Sequence, residues 1–308
     1  MNSRKVFLVT GASGFVGTVL CNSIRRSDDV LRLLVRKIIP NIDGEQFVFK
    51  NANDIDQDAF LGVDIVIHLA GYAHDTSNKK SNREMYRNVN VDLTEKILDL
   101  SVQNKVSKFV FISSVKAGGT PNVEKCFSES FQAEPDNIYG KTKLIAEKKV
   151  LEVAKYSSMD VSIIRPALVY GPGMKGNLRA MLSWIDKGWF PALPENGNRR
   201  SMVHLDDLVN AIRFICDCNK SNGKVFIVTD GNIYSSYEIY NTMCHILNKP
   251  VPKLRVPVFI FNIFSLFNKD IKYKVKKLLG SECYSSEKIE ALGFVAKKSL
   301  RDMNITEY

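Results

Sequence analysis

The sequence of 308 residues lacks long hydrophobic runs. A membrane-spanning helix needs about 20 consecutive apolar residues, whereas the first apolar run, VFLVT at 6–10, ends at a glycine cluster. This run predicts a buried strand rather than a signal peptide or a membrane span. Internal repeats and low-complexity segments are also absent, and the length is sufficient for one large domain or two modest ones.

The cysteines lack a recognisable pairing pattern. No CxxC spacing occurs among the six residues Cys21, Cys126, Cys216, Cys218, Cys244 and Cys283. We therefore expect reduced thiols and a cytoplasmic protein. Because no second ligand pair follows Cys216 and Cys218, no metal site is predicted.

Acidic residues are in short supply, with 33 Asp and Glu against 43 Lys and Arg, for a net charge of +10. The lysines are scattered and form no basic–aromatic module, so nucleic acid is not predicted as a partner. A phosphorylated small molecule and an anionic membrane surface fit the charge equally well. The net charge alone does not distinguish between these two kinds of partner.

Short apolar runs alternate with helical patterns through the first half of the chain. The runs that predict strands are 6–10, 31–35, 47–49, 64–70, 108–113 and 161–166. Helical patterns near 14–26, 82–104 and 137–156 lie between several of them. This alternation predicts an α/β fold, a Rossmann-type doubly wound parallel sheet covered on both faces.

After residue 170, glycine and proline recur and the helices become shorter. We expect residues 1–170 to form an NAD(P)-binding Rossmann domain, with a return strand near 224–231. Residues 171–223 and 232–308 are expected to form mostly a smaller substrate-binding lobe. A ligand cleft is expected between them, at the carboxyl ends of the strands.

The stretch TGASGFVG at 10–17 follows the first predicted strand and opens a helix. In this context Gly11 permits a tight turn, Gly14 lets the backbone approach a pyrophosphate, and Gly17 lets the helix pack closely. The free amides at the helix N-terminus attract phosphates. The stretch therefore predicts a dinucleotide site that also includes Ser13, Phe15 and Val16.

The end of the second predicted strand lacks the acidic residue that bonds the 2′-hydroxyl of NAD. Arg36 and Lys37 stand there instead. A guanidinium pairs well with a 2′-phosphate, which favours NADP(H), with NAD(H) as the alternative. Arg36 stacking on the adenine or facing solvent is a further interpretation. The other cofactor contacts predicted along the chain are Asp54, Leu69, Ala70, Gly71, Asn90 and Pro166.

Seven motifs together resemble the extended short-chain dehydrogenase/reductase superfamily, in its nucleotide-sugar epimerase/dehydratase branch. The resemblance covers nearly the whole chain. It is carried by TGASGFVG (10–17), HLAG (68–71), NVN (88–90), FISS (111–114), YGKTK (139–143), IIRPALVYGPG (163–173) and RRSMVHLDDL (199–208). It implies that Ser114, Tyr139 and Lys143 are catalytic, with Ser113 as an adjacent candidate.

The residue types of this set suit proton transfer. A phenol with a pKa of about 10 is a weak base near neutral pH. Lys143 lies four residues after Tyr139, on the same helix face, and its ammonium is expected to lower the phenol pKa and to bond cofactor ribose hydroxyls. Tyr139 and Lys143 therefore also count as cofactor contacts. Ser114 is expected to hold the substrate oxygen, and Asn90 to brace a helix against a strand.

The residues after Ser114 bear on the reaction. Dehydratases of this branch usually carry an acidic pair there, whereas this chain has Val115 and Lys116, so dehydration is disfavoured. A narrower resemblance, in SSVKAGG (113–119), RPALVYGPGMKGN (165–177) and NRRSMVHLDDL (198–208), is to bacterial reductases that convert UDP-4-keto-6-deoxy-GlcNAc to UDP-N-acetylquinovosamine for surface polysaccharides. An NAD(P)H-dependent 4-keto-sugar reductase is thus expected. The alternatives are a UDP-hexose 4-epimerase with bound NAD and a non-catalytic dinucleotide-binding regulator.

The resemblance further implies that Ser114, Lys116, Asn177 and Arg200 contact a nucleotide sugar, most simply a UDP-linked one. It assigns His204 a structural role and implies a homodimer formed through helices 82–104 and 137–156. The segment 256–277 places phenylalanines before a lysine-rich run. This pattern fits helices packed on the small lobe, and it also fits peripheral contact with an anionic membrane.

Overall fold

The computed structural model of the chain describes residues 4–73, 80–119 and 125–303. Its strands are β1 Val6–Thr10, β2 Val30–Val35, β3 Glu45–Val48, β4 Ile65–His68, β5 Lys108–Ile112, β6 Asp160–Pro166, β7 Leu168–Tyr170, β8 Arg200–His204, β9 Lys224–Val228 and β10 Ile233–Tyr234. Seven of them form a parallel sheet in the order β3-β2-β1-β4-β5-β6-β9. The predicted α/β fold is confirmed, because the continuous apolar runs form strands buried on both faces.

The helices are α1 Phe15–Arg25, α2 Lys80–Arg87, α3 Leu93–Gln103, α4 Ile138–Tyr156, α5 Gly176–Asp186, α6 Leu205–Asp217, α7 Ser236–Ile246, α8 Val258–Phe267, α9 Lys269–Leu279 and α10 Glu287–Glu290. The large sheet has an apolar core on each face. Residues of α1 and α6 line one core, and residues of α3 and α4 line the other. Within the described ranges, no helix is long and apolar enough to cross a membrane.

The helical stretch expected at 82–104 is not one regular helix. A π-helical turn over Asn88–Asp92 separates α2 from α3. The turn lies where Asn90, which is fully buried, bonds both the backbone of Tyr72 and the side chain of Thr142. The NVN motif therefore locates a break in the helix, and π turns of this kind are frequent at functional sites.

The second lobe is built around a three-stranded mixed sheet in the order β10-β8-β7. Its own apolar core includes residues of α5 and α7 and the buried Phe261 of α8. The buried His204 ends β8 and caps α6, where its Nδ1 accepts a hydrogen bond from the Asp206 amide at 3.1 Å. The return strand predicted near 224–231 is β9, which pairs with β6. The lobe boundaries at 170, 223 and 232 stay predictions.

The segment after α9 joins the two parts of the chain. Glu282 forms a bridge with Arg200, and Tyr284 forms one with Phe127. Between these bridges, Cys126 and Cys283 form a disulfide, with their Cα atoms 4.4 Å apart. The expectation of six reduced thiols was therefore wrong for this pair. The cause is tertiary, since bridge pairing aligns two cysteines that are 157 residues apart in sequence.

Candidate active site

The glycine loop holds the first turn of α1 against the end of β4. At Gly11, which has φ +71°, an added Cβ would lie 2.7 Å from the Ala70 amide nitrogen. A Cβ at Gly17 would overlap the Gly11 carbonyl oxygen and lie 2.9 Å from the Cα of Ala12. Both positions therefore require glycine, which brings backbone rather than side chains to this edge of the sheet.

The amino end of α1 is free of acidic side chains. The helix begins at Phe15, Gly14 is its N-cap, and no side chain caps it. Ser13 is exposed, while Gly14, Phe15 and Val16 are half-buried. The unpaired amides of the first turn and the positive end of the helix dipole suit a phosphate. These residues fit the pyrophosphate of a dinucleotide.

The residues predicted for the adenosine end have different surroundings. Arg36 directly follows β2 and is exposed, at the carboxyl edge of the sheet. The Asp54 carboxylate accepts hydrogen bonds from the amides of Lys50 at 3.1 Å and Asn51 at 2.8 Å, in a capping box. Local backbone therefore already uses Asp54, and its contact with the adenine amine stays a prediction.

The HLAG motif ends β4 beside the glycine loop. Leu69 and Ala70 are half-buried and Gly71 is exposed. The buried His68 bonds Thr10 at 2.7 Å and Thr94 at 2.9 Å. Burial lowers the pKa of His68 to about 3, with the charge of Lys143 as a lesser cause. This histidine is therefore a neutral structural residue.

Ser114 and Tyr139 meet at the carboxyl end of β5. Tyr139 lies in the first turn of α4, and the Ser114 side chain is close enough to its hydroxyl to lower the phenol pKa. The neighbouring Ser113 Oγ is buried and has no hydrogen-bond partner within the described part of the chain. Of the two serines, Ser114 is therefore the one that interacts with Tyr139.

The Tyr139 phenol is a weaker acid than expected. Burial raises its pKa to about 12, against the opposing effect of the Ser114 side chain, and the neighbouring Tyr86 adds to the rise. Among the described residues, Lys143 does not contribute to the pKa of this phenol, contrary to expectation. Desolvation of the phenolate is the dominant cause of the shift instead. The phenol therefore carries its proton near neutral pH in the chain alone.

Lys143 is buried one turn further along α4. Its Nζ donates to the Ile112 carbonyl at 2.8 Å and lies 4.5 Å from the centre of the Phe111 ring. Burial lowers its pKa to about 8, and Glu147 partly opposes that change. An added Cβ at Gly71 would lie 3.2 Å from Nζ. The ammonium thus reaches the end of β4, where the nicotinamide ribose is expected.

The remaining residues of YGKTK position α4. A Cβ at Gly140 would lie 2.5 Å from the Lys116 carbonyl oxygen and 2.8 Å from the Cβ of Pro135. Asn137 caps the helix by accepting from the Gly140 amide at 2.8 Å, and Thr142 receives the bond from Asn90. Close backbone packing and these bonds hold Tyr139 against the turn that follows β5.

The predicted substrate residues are divided between two places. The Lys116 Nζ lies 2.6 Å from one carboxylate oxygen of Glu282, and the Arg200 guanidinium lies 4.0 Å from the other. Arg200 also donates to the carbonyl oxygens of Lys277 and Gly280. Asn177 is separate and exposed in the first turn of α5. Pro166 is buried at the end of β6.

Sequence reasoning missed Glu282. Burial raises its pKa, but the charges of Lys116 and Arg200 outweigh burial, and the net pKa lies below the ordinary value. The carboxylate is therefore ionised between two cations. No sequence motif marks this residue, because its partners lie 166 and 82 positions away and only the C-terminal bridges bring it to them.

The chain is similar in sequence to known proteins along most of its length. Residues 7–229 match the model of the NAD dependent epimerase/dehydratase family. Over 307 residues the chain is 34% identical to a UDP-glucose 4-epimerase of Vibrio cholerae, covering 97% of this chain and 93% of that protein. It is 27% identical to an N-acetyl-alpha-D-glucosaminyl-diphospho-ditrans,octacis-undecaprenol 4-epimerase of Escherichia coli O157:H7, covering 95% and 91%.

A solved structure shares the fold. A UDP-glucuronic acid 4-epimerase of Bacillus cereus, in complex with UDP-glucuronic acid and NAD, superposes with a TM-score of 0.78. The two chains are 20% identical, and the match covers 98% of this chain and 97% of the other.

Proposed function

Because the chain belongs to the NAD dependent epimerase/dehydratase family, we propose that it is a UDP-sugar 4-epimerase that uses NAD. The observation that carries the proposal is the placement of Ser114, Tyr139 and Lys143 at the carboxyl ends of β4 and β5, beside the glycine loop. The similarity to a UDP-glucose 4-epimerase along nearly the whole chain supports the same reaction.

The cofactor residues fit a dinucleotide. The loop from Gly11 to Gly17 and the first turn of α1 would hold the pyrophosphate, and Lys143 would donate to the nicotinamide ribose. When bound, NAD would accept a hydride from C4 of the sugar and return it to the opposite face of the same carbon. The positive charge of oxidised nicotinamide would also offset the desolvation that raises the Tyr139 pKa.

Tyr139 moves the proton in this proposal. As phenolate it takes the proton of the sugar 4-hydroxyl, and as phenol it returns the proton to the 4-keto oxygen. Ser114, whose side chain lies near the phenol and lowers its pKa, would orient the same oxygen. In the chain alone Lys143 does not lower the pKa of the phenol, so its part in this proposal is to bind the nicotinamide ribose. Positioned acid–base groups of this kind contribute about 10²–10⁴ in rate.

The diphosphate end of the substrate would lie near Lys116 and Arg200. Both cations face Glu282 in the structure, so a diphosphate would have to compete with this carboxylate or use the remaining donors. Asn177 would contact the nucleotide from α5. Substitution of Lys116, Arg200 and Asn177, one at a time, tests these contacts by the change in substrate KM.

A 4-keto-sugar reductase that uses NADP(H) is the second candidate. Arg36 is exposed at the end of β2, where it could meet a 2′-phosphate, and no acidic residue follows Ser114 directly. Against this, the solved neighbour described above holds NAD. The relatives described above therefore favour the epimerase, and they lend no support to the preference for NADP(H).

One experiment separates the candidates. Purified protein is analysed for bound NAD or NADP and then incubated with UDP-glucose and UDP-GlcNAc, with products resolved by chromatography. Formation of the C4 epimer without net change in nicotinamide absorbance supports the epimerase. Consumption of NADPH with UDP-4-keto-6-deoxy-GlcNAc, without epimerisation, would replace it by the reductase. Cofactor binding with neither reaction would leave only a regulator.

The quaternary and cellular predictions also stay proposals. We infer a homodimer through α2–α4, because Met85 and Ile145 expose apolar surface there. Analytical ultracentrifugation measures whether the chain is a dimer in solution.

A cytoplasmic location would require the Cys126–Cys283 bond to persist in a reducing compartment, where disulfides are rare.

A further inference from the structure

Helix α8 exposes apolar side chains over most of its surface. Only Phe261 is buried in the core of the second lobe. Leu266 is 82% exposed and Phe267 is 77% exposed, and Phe264 lies beside them, also exposed. The expectation that this segment simply packs on the small lobe therefore holds for one face only. A contiguous exposed apolar patch marks an interaction surface in a soluble domain.

Helix α9 adds positive charge next to this patch. Residues 251–280 hold six lysines and one arginine against a single acidic residue, Asp270, for a net charge of +6. More than half of the net charge of the chain thus lies in about a tenth of its length. Lys272, Lys274 and Lys276 are exposed on α9, and α9 packs directly against α8.

The combined surface borders the candidate active site. Arg200 donates to the Lys277 carbonyl oxygen near the end of α9. Burial raises the pKa of Tyr273 on the same helix, and the charges of Asp136 and Glu282 add to the rise. Whatever binds α8 and α9 therefore lies close to the segment that holds Glu282 between Lys116 and Arg200.

We propose that α8 and α9 dock the protein on an anionic lipid bilayer. The aromatic and aliphatic side chains of α8 would enter the boundary between headgroups and acyl chains, and the lysines of α9 would pair with lipid phosphates. At ten residues, α8 is too short to span the bilayer. The contact is peripheral, and it is independent of which sugar reaction the site performs.

Charge complementarity favours a bilayer over a second copy of the chain. In a twofold dimer the same patch meets itself, so the lysines of α9 would face identical lysines with a single acidic residue in the segment to offset them. Like charges placed together oppose association. An anionic surface accommodates both the apolar side chains and the lysines.

The test is co-sedimentation of the full chain with vesicles. We expect binding to vesicles of phosphatidylcholine with 30–40% phosphatidylglycerol (roughly the charge density at which surface lysines bind), little binding to pure phosphatidylcholine, and release by salt. Phe264→Gln with Phe267→Gln should weaken binding at least about tenfold. Lys272→Glu with Lys274→Glu should weaken it by about 30-fold or more.

Matched controls lie elsewhere on the surface. Trp189→Gln with Val295→Gln removes two other exposed apolar side chains, and Lys220→Glu with Lys224→Glu changes the net charge equally at exposed positions. Both controls should bind like the unaltered protein. The proposal is overturned if vesicles bind no unaltered protein, if the controls lose binding equally, or if the α8 variants only convert a dimer to a monomer without affecting vesicles.

Discussion

Lys143→Met should make the folded chain more stable at pH 7 and at the same time abolish its activity. The ammonium is 2% exposed and its pKa is lowered from an ordinary 10.5 to about 8 by burial. The unfolded chain therefore binds this proton more tightly than the folded chain does. Since a tenfold difference in proton affinity corresponds to about 1.4 kcal/mol, the charged lysine costs the folded state about 3 kcal/mol below pH 8.

The free energy of unfolding should depend on pH because of this shift in the Lys143 pKa. Between pH 8 and 10.5 the unfolded state holds more protons, so the free energy of unfolding of the unaltered protein rises with pH in this window. Methionine removes the buried charge and also the hydrogen bond to Ile112, which is worth about 1 kcal/mol. We expect Lys143→Met to be about 2 kcal/mol more stable than the unaltered protein at pH 7, and to lose most of this advantage by pH 10.

Urea unfolding at pH 7 and pH 10 measures this difference, and epimerase assays measure turnover, which should fall to background. Lys141→Met is the matched control, because Lys141 lies on the same helix but is exposed beside Glu134. That variant should show neither the gain in stability nor the loss of activity. The reasoning is refuted if Lys143→Met is less stable than the unaltered protein at pH 7, or if its stability difference is the same at both pH values.

Three other predictions follow from contacts described above. Tyr139→Phe keeps the ring but removes the acid–base group, so turnover should fall about 10²–10⁴-fold while NAD affinity changes little; equal loss of both would point to misfolding. Gly17→Ala forces a Cβ into the Gly11 carbonyl, so calorimetry should find NAD binding weakened about tenfold or more. Gly223→Ala should leave NAD binding intact, because it strains only its own turn, with φ +68°, just before β9. Non-reducing mass spectrometry after alkylation should find Cys126 linked to Cys283 and four other thiols alkylated; six alkylated thiols would contradict the disulfide.

The sheet was predictable because its strands are continuous apolar runs. VFLVT at 6–10 coincides with β1, and the return strand expected near 224–231 is β9. The interruption at Asn88–Asp92 was not predictable from periodicity, since α2 and α3 follow one helical pattern. It depends on Asn90 turning inward to Tyr72 and Thr142, a tertiary contact that no local signal encodes.

The candidate site was predictable where motifs mark it. The family resemblance implied Ser114, with Ser113 as the adjacent candidate, and Ser114 is the serine that affects the pKa of the Tyr139 hydroxyl. The pKa of Tyr139 was not predictable, because desolvation depends on every atom packed around the phenol. Glu282 and the disulfide depend on the C-terminal bridges, which pair residues far apart in sequence.

Strand β9, at the edge of the sheet, is synthesised well after its partner β6. Strand β6 ends at Pro166, and its partner β9 is complete only at Val228. At about 5–20 residues per second, a ribosome needs roughly 3–12 s to make the 62 residues between them. During that interval one edge of β6 has no partner strand, and an unpaired edge of this kind recruits other strands. A nascent chain of this protein therefore depends on chaperones or on fast folding of the second lobe until β9 closes the sheet.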